Sequence, residues 1–323
     1  MTKNILVTGG AGYIGAHMTR ILLEQGYQPV VFDNLSTGYS KFVPPRVPLV
    51  KGDLRNFALL AKIFDRYPIT AVMHFAGSIA VAESVSDPLK YYENNVSGTL
   101  NLLRAMVQAK VKFFVFSSTA TVYGERDDIQ ITEAAPVAPM NPYARTKYMI
   151  EQILQDLATA YHFRQVIFRY FNVAGSHPSA DIGIKMEEPT HLIPNIMKVL
   201  SGKKKNLAVF GEDYHTLDGT CIRDYIYVMD LCRAHLLALE FLERGMQSEV
   251  FNLGSGTGFS VKQVIAAAEK VVGKKIKIKS AGRRPGDVTR SVASFAKAQQ
   301  MLGWKPAATL EQMIKTAWDF EMA

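Results

Sequence analysis

The sequence predicts an α/β fold built around a doubly wound parallel sheet, with a smaller mixed α/β domain towards the C-terminal end. Two observations in its 323 residues support this prediction. Short apolar runs alternate with helix-length amphipathic segments over the first half, which is typical of a parallel sheet with helices on both faces. A glycine-rich turn directly follows the first apolar run, at the edge where such sheets bind ligands.

The individual elements follow from the periodicity. In the first half, strands are predicted at residues 4–8, 29–32, 47–51, 71–75, 113–117 and 165–169, and helices at 14–25, 56–66, 89–109 and 143–161. Beyond Asn172 the pattern changes to a loop at 175–190. It continues with helices at 192–201, 228–244, 261–272, 293–302 and 310–321 and strands at 207–210 and 249–253. We expect one domain over residues 1–173 and a second mainly over 174–323, some segments of which return to the first.

Composition is typical of a globular protein in a reducing, cytoplasmic setting. No apolar run approaches the ~20 residues of a membrane span, and no signal peptide is visible. The two cysteines, Cys221 and Cys232, lack the spacing of a metal site or a disulfide framework. The net charge is +8, but we interpret the lysine runs at 203–205 and 274–279 as solvated surface because they lack the aromatic residues of a nucleic-acid site. We therefore expect a phosphate-bearing small substrate, with no metal, nucleic acid or membrane partner.

A dinucleotide-binding fingerprint follows the first strand. The segment Gly9-Gly10-Ala11-Gly12-Tyr13-Ile14-Gly15 contains G-x-G-x-x-G and opens a helix. Glycines let the backbone approach a pyrophosphate, and the helix N-terminus attracts its charge. Asp33 ends the next strand, where a carboxylate accepts hydrogen bonds from ribose hydroxyls and repels a 2′-phosphate. The pattern predicts a Rossmann-type domain that binds NAD rather than NADP; a flexible glycine turn is the alternative.

Two further strand ends extend this prediction. Asp53 follows the third strand and could accept the adenine amino group, or could instead cap the helix that begins nearby. Phe75-Ala76-Gly77 closes the fourth strand with small residues, as a backbone close to a cofactor requires.

Tyr143 and Lys147 lie four residues apart in a helix that begins at Pro142, so their side chains share one face. A phenol with its usual pKa of ~10 is a poor base at neutral pH. A neighbouring ammonium and a positive nicotinamide ring would stabilise the phenolate, and a shift of ~3 pKa units corresponds to ~4 kcal/mol. We predict that Tyr143 is an acid–base group with a lowered pKa, although a Tyr–Lys pair alone is common on protein surfaces.

Hydroxyl side chains follow the fifth strand in Ser117-Ser118-Thr119-Ala120-Thr121. Ligands of parallel sheets bind at the carboxyl ends of the strands. Thr119 is therefore predicted to hydrogen-bond both the reacting oxygen and Tyr143, and turn formation is the alternative role of the cluster.

Together these motifs resemble the extended short-chain dehydrogenase/reductases, and within them the UDP-glucose (galactose) 4-epimerases. The resemblance covers almost the whole chain. Its further segments are Asp33-Asn34-Leu35, His74-Phe75-Ala76-Gly77, Tyr91-Tyr92-Glu93-Asn94-Asn95-Val96, Tyr170-Phe171-Asn172 and Arg223-Asp224-Tyr225-Ile226-Tyr227-Val228. It implies NAD as the cofactor, a UDP-sugar as the substrate and a homodimer formed through the helices at 89–109 and 143–161.

The resemblance also implies the site residues. Catalytic roles fall on Thr119, Tyr143 and Lys147. NAD-binding roles fall on Gly9, Gly12, Tyr13, Ile14, Gly15, Asp33, Asn34, Leu35, Ser36, Thr37, Gly38, Asp53, Leu54, Phe75, Ala76, Gly77, Asn94, Thr119, Tyr143, Lys147 and Phe171. UDP-sugar contacts fall on Thr119, Tyr143, Asn172, His191, Leu192, Leu207, Val209, Phe210, Arg223, Arg284, Asp287 and Ser291. The arginines suit this role because a guanidinium binds diphosphate oxygens bidentately.

Three positions depart from the pattern of this group. Ile79 stands where many members have a lysine near the cofactor, and His191 stands at an asparagine position. Ser291 falls where a bulky tyrosine lines the sugar pocket of strict glucose/galactose enzymes. Because a small residue leaves room for a 2-N-acetyl group, we expect both UDP-Glc/Gal and UDP-GlcNAc/GalNAc to be used.

The implied reaction interconverts UDP-glucose and UDP-galactose by transient oxidation at C4. A 4,6-dehydratase of this scaffold has an Asp-Glu pair directly after the threonine, whereas Ala120 and Thr121 follow Thr119. A decarboxylase would also need a carboxylate near this place. A UDP-glucuronate 4-epimerase remains an alternative, since hydroxyl groups can bind a carboxylate. A non-catalytic NAD-binding protein of this fold would be expected to lack the pair Tyr143 and Lys147.

Overall fold

Seven strands form the principal sheet of the computed structural model, which describes residues 3–126, 128–284 and 287–323. In chain order they are β1 (Asn4–Thr8), β2 (Gln28–Asp33), β3 (Leu49–Lys51), β4 (Ile69–His74), β5 (Phe113–Thr119), β6 (Arg164–Tyr170) and β10 (Glu249–Leu253). Their spatial order is β10-β6-β5-β4-β1-β2-β3. The pairs β1–β2, β1–β4, β2–β3 and β4–β5 are parallel, which confirms the predicted fold class.

Helices cover both faces of this sheet. They are α1 (Tyr13–Glu24), α2 (Phe57–Arg66), α3 (Val81–Ser86), α4 (Pro88–Tyr91), α5 (Gly98–Gln108), α6 (Pro142–Tyr161) and α8 (Val228–Glu243). Alternate strand residues such as Leu6 and Phe114 pack with α2, α5 and α6 in one apolar core. On the other face, His235 of α8 packs against the rings of Phe75 and Phe168. Among the described helices, none has both the length and the apolar composition needed to cross a bilayer.

One predicted helix is interrupted. In place of a single α-helix over 89–109, a π-helix at Tyr92–Ser97 separates α4 from α5. The wider turn adds a residue to the helical repeat, and such turns are frequent at functional sites. Asp53 was predicted either to bind the adenine amino group or to cap the following helix, and it does not cap α2. Asn56 is the residue whose side chain accepts the Leu59 N–H, at 3.1 Å.

The remaining strands form a second sheet around β9 (Ile222–Tyr227) and a separate pair. β9 pairs in parallel with β7 (Asn172–Ala174) and β13 (Arg290–Ser291), and antiparallel with β11 (Gly258–Ser260). A separate parallel pair is formed by β8 (Leu207–Phe210) and β12 (Ile278–Ala281). The helices are α7 (Leu192–Leu200), α9 (Val261–Val272), α10 (Ala296–Leu302) and α11 (Leu310–Met322). Ile196, Val264 and Ile314 bring α7, α9 and α11 into one core.

The chain divides into two compact units. The first comprises Met1–Val122, Pro139–Arg169 and Cys232–Phe251, and the second comprises Tyr123–Ala138, Tyr170–Leu231 and Asn252–Ala323. We expected one domain over residues 1–173 and a second mainly over 174–323 with segments that return to the first, whereas residues 170–173 here belong to the second unit. The stretch 123–138 belongs to the second unit, and the stretch 232–251, which contains most of α8, belongs to the first.

Two glycines let the loop after β1 close tightly. A Cβ added to Gly15 would lie 2.1 Å from the carbonyl oxygen of Gly9, and a Cβ on Gly9 would lie 2.6 Å from the backbone nitrogen of Ala76. Gly9 also has a φ of +71°, in the left-handed region that favours glycine. The start of α1 and the end of β4 therefore approach this loop only because side chains are missing.

We predict that Gly15→Ala destabilises the protein by about 1–3 kcal/mol, because the clash is with backbone and the loop must shift. Gly282→Ala is a matched control, since a Cβ there meets no atom within 4 Å. Urea unfolding of both variants measures the difference in the free energy of unfolding. A Gly15→Ala variant as stable as Gly282→Ala would contradict the close approach.

Candidate active site

The carboxylate of Asp33 organises the loop that the glycines form. It accepts the N–H of Ala11 at 3.0 Å and the N–H of Leu35 at 2.8 Å. Leu35 adopts a φ of 61°, so the chain turns sharply after β2. Asp33 therefore connects the loop after β1 with the turn after β2, at the carboxyl ends of two neighbouring strands.

The start of α1 fits the pyrophosphate of a dinucleotide. Its N-cap residue, Gly12, has no side chain that could accept a hydrogen bond from the first turn. The N–H groups at a helix start need an acceptor, and an anion in line with the helix dipole is a favourable one. These N–H donors for the pyrophosphate, together with the Asp33 carboxylate as an acceptor for ribose hydroxyls, fit NAD.

Asp53 is held beside Asn34 at the same edge of the sheet. Arg55 donates its Nε and Nη2 to the Asp53 carboxylate at 2.8 and 2.9 Å, and Asn34 donates its Nδ2 at 3.3 Å. The hydrogen bonds from Arg55 hold the pKa of Asp53 well below its usual range. The neighbouring Leu54 side chain belongs to the apolar core.

An amide network that the sequence did not reveal lies between the π-helix and α6. Asn95 accepts the N–H of Ser78 at 2.8 Å and donates to the Ser78 carbonyl and the Thr146 hydroxyl at 3.0 and 3.1 Å. Asn94 donates to the Ser78 hydroxyl at 3.0 Å. Two adjacent asparagines within a helical pattern were the available signal. The nearby Ile79, at the expected lysine position, is 53% exposed.

Three predicted catalytic side chains come together where α6 crosses the end of β5. Asn141 caps this helix by accepting the Ala144 N–H at 2.9 Å, and Tyr143 and Lys147 are both buried on its inner face. Lys147 Nζ donates to the carbonyl of Ser117 at 2.8 Å. Thr119, the last residue of β5, hydrogen-bonds the Thr121 hydroxyl at 2.9 Å and accepts the Thr121 N–H at 3.2 Å, and it lies close enough to Tyr143 to affect its pKa.

The protein groups around Tyr143 do not by themselves lower its pKa, and the lowering predicted with a nicotinamide ring nearby stays a prediction. Burial raises the pKa of Tyr143 to about 12, and the hydrogen bond with Thr119 only partly opposes this rise. Burial also lowers the pKa of Lys147 to about 8, against the nearby charge of Glu151. Both shifts have the same cause, because removal from water disfavours the charged form of either group.

Four of the ten predicted substrate residues of the second unit lie around β9. Arg223 donates to Asp287 at 3.4 Å, and Ser291 of β13 stands beside Arg223 in the strand pairing. Asn172 of β7 stands beside Tyr225. Asn172 and Ser291 come from strands of three and two residues, which are too short for a recognisable periodicity.

A second group lies near the β8–β12 pair. The Arg284 guanidinium lies over the Phe210 ring, 3.8 Å from its centroid. His191 directly precedes α7, which begins at Leu192, and its side chain is exposed to solvent. Partial desolvation by the surrounding protein and the positive charge of Arg284 both lower its pKa. Leu207 and Val209 are buried in the core, so any ligand contact from these two residues would use their backbone.

The predicted site residues thus divide between the units. The first unit holds the three catalytic residues and every predicted NAD contact except Phe171. The second unit holds Phe171 and the predicted UDP-sugar contacts other than Thr119 and Tyr143.

Residues 5–254 match the family described as the NAD dependent epimerase/dehydratase family. The UDP-glucose 4-epimerase of Halalkalibacterium halodurans is 48% identical over 317 residues, which cover 98% of this chain and 95% of that protein.

Solved structures are also similar to this chain along its whole length. The UDP-glucose 4-epimerase from Brucella ovis in complex with NAD superposes with a TM-score of 0.96 at 42% identity, covering 99% of each chain. The UDP-Glc/GlcNAc 4-epimerase from Campylobacter jejuni gives a TM-score of 0.86 at 41% identity, again covering 99% of each chain. Because the family match covers residues 5–254 and similar proteins align over nearly the whole length, this chain belongs to the NAD dependent epimerase/dehydratase family.

Proposed function

We propose that this protein is a UDP-sugar 4-epimerase that interconverts UDP-glucose and UDP-galactose with bound NAD. The observation that carries the proposal is the buried pair Tyr143 and Lys147 on one face of α6, next to Thr119 at the end of β5. The names of the similar proteins, which are UDP-glucose 4-epimerases, support the same reaction. Ala120 after Thr119 leaves no carboxylate pair for a dehydratase.

In this proposal Tyr143 is the acid–base group. As phenolate it takes the proton of the sugar 4-hydroxyl, while the Thr119 hydroxyl hydrogen-bonds the same oxygen. NAD, which the glycine loop after β1 and Asp33 would hold, would supply the hydride acceptor for C4 and the hydride donor for the opposite face of the sugar once the 4-keto sugar has turned. Tyr143 then returns the proton. Since burial raises the pKa of Tyr143 to about 12 despite the Thr119 hydrogen bond, the ammonium of Lys147 and the positive cofactor ring must together stabilise the phenolate.

Tyr143→Phe should retain less than about 1% of wild-type turnover, because no other group replaces the lost acid–base function. Interconversion of UDP-glucose and UDP-galactose followed by NMR measures this. Tyr161→Phe, at a 50% exposed position of the same helix, is the matched control and should keep full turnover. Substantial turnover by the Tyr143→Phe enzyme would contradict the proposal.

We further propose that N-acetylated UDP-sugars are also substrates. Ser291 is a small, partly buried residue beside Arg223, a predicted ligand of the diphosphate. A tyrosine here would occupy the space that a 2-N-acetyl group needs. The similar Campylobacter jejuni enzyme is described as a UDP-Glc/GlcNAc 4-epimerase, which supports the proposal.

Ser291→Tyr should lower the ratio of kcat/KM for UDP-GalNAc to that for UDP-Gal by at least about tenfold, because the added ring competes sterically with the acetyl group. Both sugars are assayed with wild type and variant under the same conditions. Absence of UDP-GalNAc turnover in the wild type, or an unchanged ratio in the variant, would refute the dual specificity.

We also propose a homodimer that forms through α5 and α6. Leu100 on α5 and Met149 on α6 are each 40% exposed, although both helices pack their opposite faces into the core. Apolar side chains on two neighbouring helices form a surface that a second copy can cover.

Leu100→Glu should shift the protein from dimer to monomer, because it places a charge in an apolar contact. Analytical ultracentrifugation over a range of protein concentrations measures the distribution. Leu217→Glu, at a fully exposed position of the second unit, should leave the wild-type distribution unchanged. A monomeric wild type, or a Leu100→Glu variant that dimerises as tightly, would exclude this interface.

A further inference from the structure

The buried face of α6 continues beyond the predicted catalytic pair. Tyr143, Lys147 and Glu151 follow each other at intervals of four residues, so they lie in a row along the helix. Lys147 is 4% exposed and Glu151 is 1% exposed. A charged side chain so deeply buried needs partners, and Glu151 has no place in the reaction described above.

Glu151 connects α6 with two adjacent strands. Arg169 of β6 donates its Nε to both carboxylate oxygens at 3.1 Å and its Nη2 at 2.5 Å. The hydroxyl of Ser118 on β5 donates to the same carboxylate. Ser118 lies between Ser117 and Thr119, and the carbonyl of Ser117 accepts a hydrogen bond from Lys147 Nζ. The carboxylate therefore holds the segment of β5 that carries Thr119 and the carbonyl to which Lys147 donates.

The charges around Lys147 give Glu151 a second effect. On α6, Tyr143 and Glu151 lie one turn before and one turn after Lys147. His74 of β4 is close enough for the charge of Lys147 to affect it, and Arg169 of β6 forms an ion pair with Glu151. Burial and the charge of Lys147 lower the pKa of His74 to about 3, so the histidine is neutral at pH 7. Glu151 is the negative charge that raises the pKa of Lys147 against the effect of burial.

We propose that Glu151 is a positioning residue for the reaction: it keeps Lys147 protonated at working pH and fixes the end of β5 through Ser118. Arg169 limits this effect by neutralising part of the carboxylate charge. The proposal rests on the proposed function of the Tyr143–Lys147 pair.

The test compares two substitutions with opposite electrostatic consequences. Glu151→Gln removes the anion, so the pKa of Lys147 should fall by about one unit or more, as expected for the loss of a nearby opposite charge. Arg169→Gln removes the competing cation, so the pKa of Lys147 should rise. A merely structural role would admit water to both variants and would raise the pKa of Lys147 in both.

The pKa of Lys147 is measured by ¹³C NMR titration of NAD-loaded protein labelled at lysine Cε, with Lys147→Arg to assign the signal. The alkaline limb of the kcat profile should move in the same direction as this pKa. Asp230→Asn is the matched control. Asp230 is another buried carboxylate, which accepts the N–H groups of Ala307 and Ala308 at 2.8 and 2.9 Å, and its substitution should leave the pKa of Lys147 unchanged.

An unchanged or raised pKa of Lys147 in Glu151→Gln overturns the inference. If that variant does not fold, Glu151→Asp replaces it: shortening the side chain withdraws the anion from Lys147, so a lowered pKa supports the inference and an unchanged or raised pKa overturns it. Retention of turnover by Tyr143→Phe would instead refute the proposed function, so the two failures are distinguishable.

Discussion

Burial of the Lys147 ammonium is the constraint on which the geometry of the first unit depends. Removing an ammonium from water costs several kcal/mol unless other groups compensate for the lost solvation. The compensation comes from the carbonyl of Ser117, from the Phe116 ring 4.9 Å away, and from Glu151 one turn further along α6. These contacts exist only if α6 crosses β5 in one register. The requirement that stabilises Lys147 therefore also fixes the position of Tyr143 relative to Thr119.

The same burial opposes the charged forms of Tyr143 and Lys147 that the proposed reaction needs. It favours a neutral phenol at Tyr143 and a neutral amine at Lys147, since both pKa shifts oppose charge. The reactive combination is the reverse, a phenolate beside an ammonium. Glu151 favours the ammonium, whereas the hydrogen bond with Thr119 favours the phenolate too weakly to offset burial. In the proposed reaction the phenolate therefore needs the Lys147 ammonium and the positive charge of the cofactor together, which would link the basicity of Tyr143 to NAD binding.

Strong periodicity explains which parts of the molecule were predictable. The strands Asn4–Thr8 and Leu207–Phe210 have the predicted bounds, because each is a buried apolar run with clear limits. The pairing of Tyr143 with Lys147 followed from helical spacing alone. The π-helix was missed because its sequence continues a helical pattern, and β7, β11 and β13 were missed because two or three residues define no period. The opposing effect of burial on the pKa of Tyr143 was not predicted, because the sequence carries no measure of burial.

Register around β9 sets the surroundings of Ser291. Asp224 is fully buried on β9 and accepts the N–H of Ala293 at 3.0 Å and the N–H of Ser255 at 2.7 Å. Burial raises the pKa of Asp224 to about 6 although these donors oppose the rise. The preceding residue, Arg223, faces the opposite side of the strand and stands beside Ser291. Because Ala293 lies two residues after Ser291, the Asp224 carboxylate holds β13 in register. The sugar selectivity proposed for Ser291 thus depends on a buried carboxylate as well as on side-chain volume.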